Sequence, residues 1–229
     1  MKKKENSINP LWGGRFKSGI NDLAQYYSAS VDIDKRLFEV DIKGSIAYAE
    51  ALRRAKLINA NELKKIKQGL KKVLQEIHQN KFDWDPALED VHMNIESRLA
   101  KIAGEAAKKI HTGRSRNDQI ATDLRLFLIK KIDDISDSLT VLQKTIVKLA
   151  DNNTDTVMPG LTHLQIAQPV TFGHHLMAWN EMISRDYSRI KDAQTRMDVM
   201  PLGSAALSGT RFNIDREFLA KKLGFKKVS

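Results

Sequence analysis

Apolar residues recur with a helical period along most of the chain. From Asp34 onward, Leu37, Val40, Gly44, Ala47, Ala51 and Ala55 share one face, with small residues that let a neighbour approach closely. Asn59 and Glu62 have the spacing of a capping box. They precede an amphipathic stripe of Leu63, Ile66, Leu70, Val73, Leu74 and Ile77. Phe82-Asp83-Trp84-Asp85-Pro86 reads as a turn. A third helix then runs from about Asp90 through Val91, Ile95, Leu99 and Ile102, fading at Gly104. Before about residue 30, Asn9-Pro10, Gly13-Gly14 and Ser18-Gly19 punctuate a stretch that reads as loop.

The scale changes after Gly113. No glycine occurs between Gly113 and Gly160, and no proline between Pro86 and Pro159. One apolar stripe runs from Ile120 through Leu128, Ile135, Leu142 and Ile146 to Leu149. A helix over 117–150 would be about 50 Å long at 1.5 Å per residue. Pro169 suits the first position of a second long helix, which carries Leu176, Trp179, Met182, Ile183, Tyr187, Ile190 and Met197 and stops before Pro201. A short helix follows over 215–223, with Gly224 as its C′ residue. Strand signals are weak throughout. The expected fold is all-α, with a small N-terminal helical domain over 1–112 and a long-helix bundle domain over 113–229. So few helices cannot cover so broad an apolar stripe, so oligomerisation or further helices beyond Ser229 are expected.

Composition narrows the setting. Of 229 residues, 41% are hydrophobic, enough for a core. No apolar run exceeds four residues, so no membrane helix is expected. Lys2-Lys3-Lys4 is followed by Glu5-Asn6-Ser7 rather than an apolar stretch, so no signal peptide is read. Cysteine is absent, which removes thiolate chemistry and Cys-zinc sites. These features point to a cytoplasmic protein with no membrane partner. The net charge of +10 suits an anionic partner. The densest basic cluster (Lys64, Lys65, Lys67, Lys71, Lys72) has the spacing of a solvated helix face, and basic residues do not interleave with aromatic ones. A nucleic-acid partner is therefore not expected.

Two polar segments carry candidate chemistry. His111-Thr112-Gly113-Arg114-Ser115-Arg116-Asn117-Asp118-Gln119 stands just ahead of the longest helix. Ser115 and Asp118 fit a capping arrangement. Arg114 and Arg116 oppose the helix dipole there, a cost that a bound anion would offset. The second segment, from Met158-Pro159-Gly160 through Thr162-His163 to Gln168-Pro169, connects the two long helices. A loop histidine such as His163 can exchange a proton near neutrality, and Thr162 can donate a hydroxyl. His92 and Glu96 lie one helical turn apart and read as a surface pair rather than metal ligands. His174-His175 point apart on a helix. The glycine-bearing stretch 202–210 lacks the Gly-Lys-Ser/Thr ending of a phosphate loop.

Taken together, these segments resemble the argininosuccinate lyases of the fumarase/aspartase superfamily. The resemblance is carried by Trp12-Gly13-Gly14-Arg15-Phe16, Asp41-Ile42-Lys43-Gly44-Ser45 and Glu89-Asp90-Val91-His92-Met93-Asn94-Ile95-Glu96. It continues through the string from His111 to Asp118, Met158-Pro159-Gly160, Thr162-His163-Leu164-Gln165, Ala167-Gln168-Pro169-Val170 and Pro201-Leu202-Gly203-Ser204. The His-Thr-Gly-Arg-Ser-Arg-Asn-Asp string points to this lyase rather than its relatives. Family members are about twice as long, and the resemblance implies that their Gly-Ser-Ser-x-Met-Pro loop, with the catalytic serine, would lie downstream. The chain therefore reads as an N-terminal portion, a truncated bundle of the fumarase/aspartase type, with little or no activity expected alone.

The resemblance implies β-elimination of argininosuccinate to arginine and fumarate. Ser30, Arg116, Asn117 and Thr162 match the family's substrate-binding positions, and His163 matches its proton-transfer histidine. A carbon acid beside a carboxylate is weak, so preorganised donors must hold the dianion that develops. No metal or organic cofactor is implied. The implied partners are the small-molecule substrate and further copies in a homotetramer, or a complementing C-terminal half. The alternatives are a crystallin-like structural protein of the same fold and, ranked last, a basic helical nucleic-acid-binding module.

Overall fold

The computed structural model describes residues 21–229. The Asn9-Pro10, Gly13-Gly14 and Ser18-Gly19 punctuation and the Trp12-Gly13-Gly14-Arg15-Phe16 string lie outside the described residues. The expected loop before residue 30 gives way at its end to a helix, α1 (Asp22–Ser28), because the Asn21 side chain accepts the N–H groups of Leu23 and Ala24. Leu23, Tyr26 and Tyr27 on α1 are exposed, so no buried stripe announces this helix in the sequence.

A single turn, α2 (Val31–Asp34), leads through a 3₁₀ turn into α3 (Phe38–Arg54). The capping box before α4 (Ala60–His78) forms in full: Asn59 accepts the N–H of Glu62, and Glu62 accepts that of Asn59. The apolar stripe of α4 is buried through Ile66, Leu70, Val73 and Ile77, while Lys64, Lys65, Lys71 and Lys72 stand in solvent. Asp90 caps α5 (Val91–Ala103), which Gly104 ends. A one-turn helix, α6 (Glu105–Lys108), precedes α7 (Arg116–Asp151), the longest element.

The chain divides into two compact units: the described residues up to Leu124 together with Met200–Ser229, and Arg125–Val199. The sequence reading divides the chain at 112/113, just ahead of α7. The packing units divide inside that helix, and residues from Met200 onward belong with the first. In the first unit α3, α4 and α5 bury Ile42, Tyr48, Leu52, Ile66, Leu70, Ile95 and Leu99 almost completely, each aliphatic side chain contributing about 2 kcal/mol. Gly69 permits the close packing of α4 on α5, since a Cβ there would lie 2.5 Å from Leu99 Cδ1. The last helix of this unit, α9 (Arg216–Leu223), packs on α3 after Asp215 caps it.

In the second unit α7 is followed by a β-hairpin, β1 (Val157–Thr162) and β2 (Gln165–Thr171), and then by α8 (Phe172–Met197). α7 and α8 run antiparallel: Ile146 and Ala150 pack with Phe172 and Leu176, while Asp133 bonds Lys191 and Gln194. The hairpin corrects two expectations. The connector is strand rather than loop, and Pro169 lies in β2 opposite Pro159 rather than opening a helix. α8 starts three residues later, capped by Thr171, whose hydroxyl accepts the N–H of His174. Neither proline can donate to the ladder, which a two-stranded hairpin with open edges tolerates. The fold is all-α in class. Among the described residues β structure is confined to this hairpin and one two-residue pairing.

Candidate functional site

The polar string ahead of α7 builds a dense network within the first unit. Ser115 Oγ accepts the Asn117 N–H (3.1 Å), and Asp118 Oδ1 accepts the Ser115 N–H (3.1 Å), as the capping spacing predicts. Asp118 also reaches beyond its own helix: its Oδ2 accepts the N–H groups of Gly203 (3.0 Å) and Ala205 (2.8 Å). One buried carboxylate thus fixes the start of the glycine-bearing stretch 202–210.

The two arginines find their anion inside the protein. Glu96 of α5 accepts from Arg114 Nη2 (3.2 Å), Arg116 Nη1 (3.0 Å) and Arg116 Nη2 (3.3 Å), and lies 3.5 Å from His111 Nδ1. Burial alone would raise the Glu96 pKa, but His111, Arg116 and Arg114 hold it at about 2. Arg114 is fully buried, bonds Ser45 Oγ and lies over the Tyr48 ring. Arg116 also donates to Gln119 Oε1 (2.6 Å) and lies 3.6 Å from Asp90 Oδ2. A resident carboxylate, Glu96, offsets the crowding of cations at this helix start.

Ser30 and Arg116 are tied to the same short segment. The Ser30 and Val31 N–H groups donate to the Glu89 carbonyl (2.9 and 3.1 Å), while Arg116 pairs with the adjacent Asp90. Ser30 Oγ donates to Asp34 Oδ2 (2.5 Å), and Asp34 Oδ1 accepts the Val91 N–H (3.0 Å). Glu89 itself adopts φ 65° and ψ −66°, with the Asp90 N–H bonded to the Leu88 carbonyl (2.7 Å). That is a γ-turn, a strained conformation costing about 1–3 kcal/mol, and it turns Asp90 toward α7. The Asn117 side chain is exposed at the first turn of α7.

Thr162 and His163 lie in the second unit. Thr162 ends β1, and His163 with Leu164 forms the two-residue hairpin turn. Both turn residues have positive φ, 49° and 62°, a geometry that usually selects Asn-Gly. Thr162 and His163 are exposed, and Leu164 is 95% exposed. The structure therefore gathers Ser30, Arg116 and Asn117 in one unit and Thr162 with His163 at a hairpin tip in the other.

Sequence reasoning missed a buried cluster beneath the arginines. His92, expected on the surface, is 1% exposed. Its Nδ1 lies 2.9 Å from Asp41 Oδ1, 3.5 Å from Asp123 Oδ2 and 3.3 Å from Gln119 Nε2. The available signal was phase: His92 shares the face of Ile95 and Leu99, the core stripe of α5. Burial pushes the Asp123 carboxyl well above the usual range, and neighbouring Asp41 adds to the rise. Burial also acts to raise Asp41, but His92, Arg114 and Gln119 outweigh it and hold that carboxyl well below its ordinary value. Asp41, His92 and Asp123 bring three ligand atoms within 4.8 Å of one another. Gln119 donates its amide N–H to Asp41 Oδ1 (2.5 Å), and its oxygen is committed to Arg116.

Comparison with known proteins gives this geometry a context. A protein-family model described as Lyase matches residues 14–229. The argininosuccinate lyase of Methylococcus capsulatus is 54% identical over 94% of this chain and 46% of its own length. That of Chromohalobacter salexigens is 51% identical over 97% and 48%. The chain spans about half the length of the curated relatives it matches. Among solved structures, EDDS lyase in complex with formate superposes with a TM-score of 0.77 at 27% identity, over 91% of this chain and 41% of that one. A fumarate lyase from Mesorhizobium sp. BNC1 gives 0.70 at 25% identity, over 87% and 49%.

Proposed function

We propose, from the premise that the chain belongs to this lyase family, that it is part of an argininosuccinate lyase. The observation that carries the reading is sequence identity above one half with proteins of that name along nearly the whole chain. The reaction is a β-elimination. A proton leaves the carbon beside a carboxylate, the guanidino nitrogen departs with the electron pair, and arginine and fumarate result. The barrier lies in the dianion that develops as the proton leaves, and hydrogen-bond donors fixed beforehand lower it.

Arg116, Asn117, Ser30 and Thr162 are the donors in this reading, and His163 moves a proton. Two features support the roles. Ser30 and Arg116 are anchored to the same Leu88–Glu89–Asp90 turn. His163 is held at a strained and exposed turn, where an imidazole stays open to a reactant. The active assembly is a homotetramer acting in the cytoplasm on argininosuccinate, arginine and fumarate. No helix among the described residues is long and apolar enough to cross a membrane.

The test follows fumarate absorbance after adding argininosuccinate, first to the protein alone and then to its mixture with the C-terminal half of the Methylococcus capsulatus relative. Fumarate release in either arm, abolished by His163→Asn, is the expected result. Absence of fumarate in both arms, with both polypeptides folded, would refute the reading.

A further inference from the structure

We propose that Gln119 is the positioning residue for Arg116, coupling that guanidinium to the buried Asp41–His92–Asp123 cluster. The inference rests on the reading of Arg116 as a group that binds substrate carboxylate. Gln119 is 2% exposed and one turn into α7. Its two amide atoms face opposite tasks. Oε1 accepts from Arg116 Nη1 (2.6 Å), while Nε2 donates to Asp41 Oδ1 (2.5 Å) and lies 3.3 Å from His92 Nδ1. An arginine donates only and an ionised carboxylate accepts only, so the amide has one way round. Reversing it would set a donor against Arg116 and an oxygen against Asp41.

This fixes a guanidinium that is otherwise steered by carboxylates alone. Glu96 accepts from both Nη atoms of Arg116 and Asp90 stands 3.6 Å from its Nε, which leaves the second Nη1–H to Gln119. The Gln119 bond points one Nη1–H inward, and with Glu96 it defines the plane of the fork. Arg114 provides a built-in comparison. It shares Glu96 but bonds Ser45 and lies over the Tyr48 ring rather than meeting Gln119.

The experiment uses the whole chain with nitrogen-15 label in arginine and glutamine. In the wild type, a through-space contact between the Arg116 Nη1 protons and the Gln119 amide is expected, and its absence would overturn the proposal without any variant. In Gln119→Leu, the Arg116 guanidinium signal shifts and its proton exchange quickens about tenfold, while Arg114 keeps both. Equal change at the two arginines, or no change at Arg116, would also overturn it. Titration with fumarate then separates the two readings. The expected result is binding by the wild type and about tenfold weaker binding by the variant. If the wild type binds no fumarate while Arg116 responds to Gln119→Leu, the carboxylate-binding reading fails and the coupling stands.

Discussion

At the residue scale, Glu96 decides whether two arginines can share a helix start. Removing its charge leaves the Arg114 and Arg116 guanidiniums pressed together without their common partner. Glu96→Gln is expected to lower stability by about 2 kcal/mol, less than for a fully buried pair because its side chain is 22% exposed. The pH dependence has a definite sign. The folded-state pKa of about 2 lies below the ordinary 4.5, so the stabilisation is complete above pH 4.5 and is lost as pH falls toward 2. Urea denaturation of both proteins from pH 6 to pH 2 should therefore show their difference closing between those two values. A gap that persists at pH 2 would mean that packing, and not the ion pairs, holds this corner together.

At the scale of elements, the β-hairpin carries the clearest local cost. Leu164 occupies a left-handed position with nearly all of its surface in water, so its side chain gains nothing there to offset the strain. Leu164→Gly should stabilise the hairpin by about 1 kcal/mol, visible as slower amide exchange at Thr162 and Gln165. Unchanged or faster exchange would contradict the strain argument. The same hairpin marks the limit of what the sequence could show. Both of its faces are largely exposed, so no apolar alternation announces it, and His163-Leu164 gives none of the Asn-Gly signal of a tight turn. α4, with one wet face and a full capping box, was legible residue by residue. In the site, the string from His111 to Gln119 was legible as polar chemistry. Its partners Glu96, Asp41 and His92 were not, because they come from other helices and local spacing does not encode such pairings.

At the scale of the molecule, unit by unit, large apolar side chains remain in contact with water. In the second unit these include Ile135, Val141, Leu142, Trp179 and Met182, exposed between 45% and 65%. Such faces on long helices call for burial in an assembly, which agrees with the proposed homotetramer. Sedimentation of the protein is expected to show self-association that rises with concentration, and Leu142→Glu with Trp179→Glu should shift it toward monomer. A concentration-independent monomer for the unaltered chain would remove this expectation.

The bonds from Asp118 to Gly203 and Ala205 set an order of events during synthesis. The ribosome makes the acceptor well before the donors: at about 5–20 residues per second, the separation of 85 positions corresponds to several seconds of translation. Until then the nascent α7 has only Ser115, its local cap, to hold the carboxylate. Closing so long a loop is entropically costly, so the corner that surrounds Arg116 is finished late, after α3, α4 and α5 have had time to pack.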